Sequence, residues 1–282
     1  MVADRVGLIG VGDMGRGLLA RLIKAGVKVK AFDISETNLG AARDAGAEIA
    51  RSAADAASGV HIIHLLVRTD DQVLAAALGP GGALEGAREG SRLLLHSTIL
   101  PETTRAVAAA ATDQGVVVID APITAVPRRV HGGEATFLVG GPDDVVAEIR
   151  PHLEALGRQV CHFGPLTSGN VAKISKNLTN AIERVMLSEA ARLAAAGGID
   201  AKQFLDMAKS VNSGAAVASW DRVFTIEDGQ PVHKPEPDDI LLSKDVQHAA
   251  ALAESLGLDL PLTQGAAATA RRWIESWETD PR

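Results

Sequence analysis

Two patterns of apolar and polar positions divide the chain. Over residues 5–160, short apolar runs typical of strands alternate with alanine-rich runs of helical period, such as Met14–Ala25 and Ser35–Ala45. This alternation indicates a parallel sheet whose crossover helices cover both faces. The last predicted strand either joins that sheet or enters as a hairpin partner. The predicted strands are Val6–Ile9, Val27–Phe32, His61–Val67, Ser91–His96, Val116–Asp120 and Ala135–Val139.

The pattern changes after Gly164-Pro165. From Ser168 to about Ala196 it is helical without a breaker, and Gly197-Gly198 ends the run. At ~1.5 Å per residue this helix spans roughly 43 Å, a length that suits a connection between two domains. The remainder is mostly helical in pattern, with a proline-rich loop at Pro231–Pro237. We therefore predict an α/β, doubly wound Rossmann-like domain over residues 1–163, joined by the long helix to an all-helical domain over 164–282.

Composition and charge narrow the class of protein. The 282 residues exceed the usual size of a single core, and the net charge is -7. An acidic chain lacks the basic footprint that nucleic acid or an anionic membrane surface requires, and no apolar stretch has the length of a membrane span. The single cysteine, Cys161, favours a reducing compartment, and a strand follows Asp4-Arg5 directly instead of a secretory signal. We expect a cytoplasmic protein.

A glycine loop, Gly10-Val11-Gly12-Asp13-Met14-Gly15, lies between the first predicted strand and the first predicted helix. In a dinucleotide-binding loop, Gly10 permits the tight turn, Gly12 lets the backbone approach a pyrophosphate, and Gly15 allows close packing of helix on strand. The helix N-terminus then offers free N–H groups to the phosphates. An ordinary turn between strand and helix is the alternative explanation.

Asp33 ends the second predicted strand about twenty residues later. A carboxylate there can accept hydrogen bonds from the adenosine ribose diol, and it repels a 2′-phosphate. The following Ile34-Ser35 provides no arginine for such a phosphate. Asp33 therefore favours NAD over NADP, unless it is only a solvated aspartate in a turn.

A lysine and two other residues of interest lie on one face of the long helix. Gly169, Lys173 and Asn177 are spaced four apart, so Lys173 and Asn177 project side by side and Gly169 leaves room for a ligand. A lysine in a dry pocket can take a proton from an alcohol, or return one to a carbonyl oxygen. Lys176 lies off this face and fits the role less well. A lysine that merely solvates the helix surface is the alternative.

With these motifs the sequence resembles the β-hydroxyacid dehydrogenase family, which includes 3-hydroxyisobutyrate dehydrogenases and tartronate semialdehyde reductases. The resemblance covers nearly the whole chain and follows the family's motifs in order. The matching segments are Gly7–Gly15, Ser97-Thr98-Ile99-Leu100-Pro101, Asp120-Ala121-Pro122, Val139-Gly140-Gly141, the set Gly169, Lys173 and Asn177, and Lys244-Asp245.

The resemblance implies a role for each matching residue. Lys173 is then the catalytic lysine and Asn177 an amide that orients the substrate. The expected substrate-binding residues are Ser97, Thr124, Ala125 and Val126. The expected cofactor-binding residues are Gly10, Gly12, Asp13, Met14, Gly15, Asp33, Leu66, Val67, Thr98 and Lys244, with Thr98 and Lys244 near the nicotinamide. The resemblance also implies a homodimer or homotetramer.

The chain departs from the family pattern where substrate choice is expected. Ala125 and Val126 replace two glycines, so backbone N–H groups that hold a carboxylate there must do so at ordinary φ values, or Val126 is a core residue on a shifted loop. Arg128 and Arg129 either capture a second anionic group or serve a solvated or inter-subunit surface. Thr167 replaces a glycine before the long helix, where it can act as a cap.

Other chemistries find little support in the sequence. The eight histidines show no metal-ligand spacing, so no metal site is expected. Ser97 and Ser168 lie outside a nucleophile-elbow context, which disfavours a hydrolase. We expect an NAD-dependent dehydrogenase that acts on a small 3-hydroxy acid resembling 3-hydroxyisobutyrate. The alternatives are an imine reductase and a noncatalytic NAD-binding protein.

Overall fold

The computed structural model describes residues 2–211, 214, 218, 220–234 and 237–279, and of residues 237–243 and 276–279 the backbone alone. By its internal contacts the chain divides into two compact units, Met1–Lys173 and Ile174–Arg282. The predicted domain boundary near residue 163 lies ten residues before this division and stays a prediction.

The first unit is built on a parallel six-stranded sheet in the order β3-β2-β1-β4-β5-β6. The chain therefore reverses its direction of winding between β1 and β4, as it does in doubly wound folds. The strands are β1 Arg5–Ile9, β2 Lys28–Phe32, β3 Glu48–Ile49, β4 Ile62–Leu65, β5 Arg92–Leu95 and β6 Val117–Asp120. This sheet with its helical crossovers confirms the predicted fold class.

A second sheet of three strands follows the first along the chain. In it β8 (Thr136–Val139) pairs antiparallel with β7 (Ile123–Thr124) and parallel with β9 (Gln159–His162). The predicted strand Ala135–Val139 thus enters as a hairpin partner, one of the two arrangements that its sequence allowed. The prediction missed β3 and β7, which have only two residues each, and it also missed the four-residue strand β9.

Helices of the first unit begin where the sequence provides caps. The hydroxyls of Ser35, Ser52 and Thr69 each accept a hydrogen bond from the backbone N–H three residues later, and α6 begins with Pro101. The helices are α1 Asp13–Lys24, α2 Glu36–Asp44, α3 Ala53–Ala57, α4 Asp70–Leu78, α5 Ala83–Gly86, α6 Pro101–Thr112, α7 Pro127–His131, α8 Asp143–Leu156 and α9 Ser168–Ala196, whose last part belongs to the second unit.

The core of the first unit lies on both faces of the parallel sheet. Ile62 and Leu94 join one cluster of buried side chains, whereas their chain neighbours Ile63 and Leu93 join the other. Side chains of successive strand residues point to opposite faces, so both faces must be covered. Each such fully buried side chain stabilises the fold by about 1.5–3 kcal/mol.

The second unit is mainly helical and also contains a β-hairpin. Its elements are the rest of α9, α10 Ala201–Val211, α11 Trp220–Val223, β10 Phe224–Glu227, β11 Gln230–His233, α12 Pro237–Ser255 and α13 Pro261–Thr279. The all-helical prediction omitted this antiparallel hairpin, and Pro231 lies in a strand instead of a loop. Asp228 and Gly229 both have positive φ at the turn, and an Asp-Gly pair is a strong hairpin signal. Within the described residues, no helix combines the length and the apolar character that a membrane span requires.

Candidate active site

Five loops of the first unit begin at the same edge of the parallel sheet. They follow β1, β2, β4, β5 and β6, and the carboxyl ends of parallel strands meet at one edge. In doubly wound folds, ligands bind at this edge next to the point where winding reverses. The predicted cofactor and substrate residues of the first unit fall mostly on these loops.

The loop after β1 is shaped by its three glycines. Gly10 has φ +92°, and a Cβ there would overlap the Leu66 carbonyl oxygen; a Cβ on Gly15 would overlap the carbonyl oxygen of Gly10. Both positions therefore require glycine. At Gly12, just before α1, a Cβ would meet no atom within 4 Å. The backbone at Gly12 thus borders open space from which a pyrophosphate can approach the start of α1.

Two other residues of this loop have partners within the protein. Asp13 is exposed and forms an ion pair with Arg16 on the next turn of α1. Met14 is half-buried and packs against the core of the first unit. Their predicted contact with a cofactor stays a prediction.

Asp33, after β2, is joined to the glycine loop. Its Oδ2 accepts a hydrogen bond from Val11 N at 2.6 Å, and its Oδ1 accepts one from Ser35 N at 2.9 Å. The carboxylate is only half-buried, and the neighbouring Ile34 is 90% exposed. A carboxylate oxygen has two acceptor sites, so Asp33 can still accept bonds from a ribose diol. These residues fit an NAD dinucleotide.

Ser97 connects the loops after β4 and β5. Its hydroxyl donates to Val67 O at 2.7 Å and accepts from Val67 N at 3.1 Å. The side chain is buried, and these two bonds connect the loops. The predicted contact of Ser97 with a substrate stays a prediction. Leu66 and Thr98, on the same two loops, are half-buried.

The segment after β6 carries the predicted substrate residues. Thr124 is in β7, and Ala125 is half-buried and packs against the core. Val126 has φ -85° at the start of α7 and is 40% exposed. The interpretation of Val126 as a core residue is therefore wrong, since α7 begins there and turns its side chain toward solvent. The two positions without glycine adopt ordinary backbone conformations.

Lys173 lies against this segment. Its Nζ donates to Ile123 O at 2.8 Å and lies 3.5 Å from the Thr124 hydroxyl oxygen. The residue is only 8% exposed, so Lys173 does not solvate the helix surface. The structure thus brings together the predicted catalytic lysine and a predicted substrate hydroxyl, which are 49 residues apart in the sequence.

The first turn of α9 is held by Asp120, at the end of β6. Asp120 Oδ1 accepts from Thr167 N and Oδ2 from Asn170 N, both at 2.7 Å. Thr167 was expected to cap this helix, but the cap comes from the Asp120 carboxylate. The interpretation that Gly169 leaves room for a ligand is also wrong, because a Cβ there would overlap the Leu138 carbonyl oxygen.

A chain of three buried histidines lies behind the substrate segment. His64 Nδ1 is 2.8 Å from His96 Nε2, His64 Nε2 is 3.0 Å from His152 Nε2, and His96 Nδ1 is 2.8 Å from Ala121 O. At the far end, Ala3 N donates to His152 Nδ1 at 3.3 Å.

The protonation of this chain follows from its ends. The carbonyl of Ala121 can only accept, so His96 carries its proton on Nδ1, His64 also on Nδ1, and His152 on Nε2. Burial lowers the pKa of His96 and of His152 to about 4, and it also holds the pKa of His64 well below its ordinary value. The histidines are therefore neutral at neutral pH and hold Ala121 in place. Their spacing in the sequence gave no sign of this arrangement.

In the second unit, Asn177 forms a buried pair that the sequence analysis did not predict. Its Nδ2 donates to Asp245 Oδ2 at 2.7 Å, and Lys176 Nζ donates to its Oδ1 at 3.3 Å. Asp245 follows the predicted cofactor residue Lys244, which is half-buried on α12. The resemblance assigns a role to the lysine of the Lys244-Asp245 motif, whereas in the structure it is the aspartate that orients the Asn177 amide.

The remaining candidates lie at the surface. Arg128 and Arg129 are exposed on α7, and Arg129 Nε lies 3.6 Å from Glu134 Oε2. In the part of the chain that the structure describes, no group of three or more histidine, cysteine or acidic side chains is arranged to hold a metal ion.

Comparison with known proteins assigns both parts of the chain to dehydrogenase families. Residues 5–164 match the NAD binding domain of 6-phosphogluconate dehydrogenase, and residues 167–280 match the NAD-binding domain of NADP-dependent 3-hydroxyisobutyrate dehydrogenase. The NAD-dependent L-serine dehydrogenase of Pseudomonas aeruginosa is 32% identical over 210 residues, which are 74% of this chain and 70% of that protein. The 3-hydroxyisobutyrate dehydrogenase of the same organism is 32% identical over 209 residues, with the same coverage.

Solved structures agree on the fold. The 3-hydroxyisobutyrate dehydrogenase of Mycobacterium tuberculosis, solved with L-serine, superposes with a TM-score of 0.83 at 24% identity, over 98% of this chain and 94% of that one. Imine reductases are more distant; that of Streptomyces aurantiacus has a TM-score of 0.62 at 18% identity, over 96% of this chain and 95% of that one.

Proposed function

This chain belongs to the β-hydroxyacid dehydrogenase family, and on that premise we propose that it oxidises a small 3-hydroxy acid to its semialdehyde or oxo acid with NAD. The observation that carries the proposal is the buried Nζ of Lys173, held 2.8 Å from Ile123 O and 3.5 Å from the Thr124 hydroxyl oxygen. A lysine in this setting is positioned for proton transfer to or from a substrate beside the segment after β6.

NAD is the cofactor, and the residues at the edge of the sheet fit it. Gly10, Gly12 and Gly15 would hold the pyrophosphate at the start of α1, and Asp33 the adenosine ribose. When bound, NAD supplies the nicotinamide that accepts hydride from the carbon bearing the hydroxyl group. The predicted contacts of Leu66, Val67, Thr98 and Lys244 with the cofactor, and of Asp13 and Met14, are part of this proposal.

Lys173 performs the proton transfer. In the direction of oxidation, its neutral amine takes the hydroxyl proton as the C–H bond breaks; in the reverse direction, the ammonium returns that proton to the carbonyl oxygen. The two protein oxygens near Nζ keep the side chain from swinging away. Even when it is protonated, Lys173 stabilises the developing alkoxide charge.

The substrate is held, in this proposal, by Thr124 with the backbone of Ala125 and Val126, and it is oriented by Asn177. Thr124 has a hydroxyl that can donate to a carboxylate. Ser97 contributes indirectly, because its hydroxyl is bonded to Val67. Arg129 is near Glu134 at the surface, which supports a surface role over capture of a second anion.

The substrate class follows from chemistry that two relatives share. The relatives are named for L-serine and for 3-hydroxyisobutyrate, both of which carry a hydroxyl on the carbon next to the one that bears the carboxylate. We propose a substrate of this size and charge. A noncatalytic NAD-binding protein would have no reason to bury Lys173 at the segment after β6.

Assembly and location are also proposals. The resemblance supports a homodimer or homotetramer, and the single half-buried Cys161 supports a reducing, cytoplasmic compartment. The division into a cofactor domain over residues 1–163 and a substrate domain over 164–282 rests on the change of sequence pattern after Gly164.

The test is NADH formation at alkaline pH with 3-hydroxyisobutyrate, L-serine and glycerate. We expect Lys173→Ala to lose turnover by about 100-fold or more while NAD binding persists. Lys202→Ala, which removes an exposed lysine of α10, is the matched control and should behave as wild type. Equal turnover in Lys173→Ala and wild type would refute the role of Lys173, and NAD binding without turnover would support the noncatalytic alternative. Turnover of cyclic imines alone would support the imine reductase.

A further inference from the structure

The Asp120 carboxylate is enclosed by backbone at the junction of β6 and α9. It accepts from Thr167 N and Asn170 N, and the N–H of Gly169 also points to it. Asp120 is fully buried, and in the part of the chain that the structure describes it forms no ion pair. A buried carboxylate is costly unless it is hydrogen-bonded, and these backbone N–H groups provide the hydrogen bonds.

The surrounding backbone is shaped to this carboxylate. A Cβ on Gly140 would lie 2.5 Å from Asp120 Oδ1, and one on Gly169 would lie 2.8 Å from Oδ2, so neither position has room for a side chain. Thr167 has φ 82°, a left-handed conformation that is unfavourable for threonine. This conformation lets the Thr167 N–H and the N–H groups of the first turn converge on one carboxylate.

Hydrogen bonds made by Asp120 and Lys173 join the segment after β6 to the first turns of α9 at two points. One side runs along the segment from Asp120, at the end of β6, to Ile123, at the start of β7, and the other runs along α9 from Gly169 to Lys173. The carboxylate joins the two sides at one end, and the bond from Lys173 Nζ to Ile123 O joins them at the other. A shift of the first turn of α9 would therefore move Nζ relative to Ile123 and Thr124.

We propose that Asp120 is a positioning residue, whose ionised carboxylate anchors the first turn of α9 so that Lys173 meets the substrate at the segment after β6. The proposal rests on the proposed function, since it assigns Asp120 to the same reaction. The negative charge also complements the positive end of the helix dipole. A protonated carboxyl keeps an acceptor for one amide, but it turns a hydroxyl toward the other.

Protonation of Asp120 falls within an accessible pH range. Burial raises the pKa of Asp120 to about 6, although the backbone hydrogen bonds oppose the increase. The titratable groups on the packed elements have other partners: His96 is bonded to Ala121 O, His162 Nε2 lies near Gly141 O and Gly164 O, and Lys173 donates to Ile123 O. The ionised carboxylate that anchors α9 is therefore present above about pH 6 and is lost as the pH falls through that value.

The experiment compares wild type, Asp120→Asn and Thr104→Val between pH 5 and 8 in the direction of reduction, with NADH and the oxo acid or semialdehyde. In this direction Lys173 acts as the ammonium, so its own protonation does not lower kcat as the pH falls. Thr104 donates to Asn170 Oδ1 at 2.8 Å, so Thr104→Val removes another buried hydrogen bond of the same turn and leaves the carboxylate in place. We expect kcat of wild type to fall below pH 6. This decrease at low pH is the acid limb of the pH profile. Asp120→Asn should lower kcat by about 100-fold at pH 8 and abolish the acid limb. Thr104→Val should retain the limb, whatever its stability.

A second readout is independent of turnover. In ¹⁵N NMR spectra, the amides of Gly169 and Asn170 should titrate together near pH 6 in wild type, and they should not titrate in Asp120→Asn. Wild-type kcat and acid limb in Asp120→Asn, or amides that do not titrate in wild type, would overturn the proposal. If Asp120→Asn does not fold, a wild-type kcat constant from pH 7 to 5 would overturn it as well.

The two proposals can fail separately. If Lys173→Ala is inactive and Asp120→Asn matches wild type, the role of Asp120 is wrong and the proposed function stands. If wild type turns over none of the hydroxy acids, the proposed function fails, while the amide titration still decides whether Asp120 anchors α9.

Discussion

Asn177 donates its side-chain amide to Asp245 Oδ2 over 2.7 Å, and both residues are about nine-tenths buried. The bond determines which end of the amide is nitrogen, so the Asn177 oxygen points to the opposite side. An asparagine proposed to orient a substrate thus depends on an aspartate 68 residues further along the chain.

We expect Asp245→Ala to lower both the stability of the protein and the ability of Asn177 to orient the substrate. It leaves the Nδ2 group without this buried acceptor, which costs about 1–3 kcal/mol of stability. Asn177→Ala, Asp245→Ala and the double variant form a thermodynamic cycle, measured by urea unfolding and by kcat/KM. We expect a coupling energy of about 0.5–3 kcal/mol. Additive effects in both measurements would show that the pair does not act as a unit.

Gly12→Ala and Gly15→Ala should separate cofactor binding from folding. A methyl group at Gly12 enters open space, so we expect a change in unfolding free energy of no more than about 1 kcal/mol but an NAD Kd raised at least about 10-fold, because the pyrophosphate can no longer approach. A methyl group at Gly15 overlaps Gly10 O, and we expect destabilisation of about 1–3 kcal/mol or more. Thermal unfolding and NAD titration of both variants provide the test. The reverse ranking of stability would contradict the geometry of the loop.

Asp33→Ser should weaken the preference for NAD. It removes the charge that repels a 2′-phosphate, and we expect the ratio of kcat/KM for NAD to that for NADP to fall about 10-fold or more, or ~1.4 kcal/mol. Asp44→Ser is the matched control, since it removes an exposed carboxylate at the end of α2. An unchanged ratio in Asp33→Ser would mean that the discrimination lies elsewhere.

The histidine chain should make stability depend on pH. Burial lowers the pKa of His96 and of His152 from 6.5 to about 4, so between these values the unfolded chain binds more protons than the folded one. The unfolding free energy contributed by these groups is therefore complete above pH 6.5 and falls as the pH is lowered toward 4. Asp120 has the opposite effect. Its pKa is raised from 3.8 to about 6, so its contribution to the unfolding free energy increases as the pH falls from about 6 to 3.8.

His152→Leu tests this dependence. It should lower the unfolding free energy at pH 7 by about 1–3 kcal/mol, because His64 Nε2 loses its donor. It should also make the decrease from pH 6.5 to 4 less steep than in wild type. His131→Leu, at an exposed position, is the control. The measurement is urea unfolding at several pH values, and equal slopes in His152→Leu and wild type would contradict the assignment.

Local sequence determined much of the fold. The alternation of apolar runs predicted β1, β2, β4, β5 and β6, and the predicted span Ser168–Ala196 agrees with α9. The period of apolar positions and the caps are properties of adjacent residues, so they can be recognised without knowledge of the fold. The same local information contained the Asp228-Gly229 hairpin, which the prediction overlooked because the surrounding pattern was helical.

For the candidate site, the sequence by itself determined residue types: a glycine loop, an aspartate after β2, and a lysine and an asparagine one turn apart. Only the tertiary structure decided what these residues contact. It paired Ser97 with Val67, and it placed the Asp120 carboxylate on amides 47 and 50 residues away. It also aligned His64, His96 and His152 into one chain of hydrogen bonds. No local period encodes such contacts, because they form only when the sheet brings distant strand ends to the same edge.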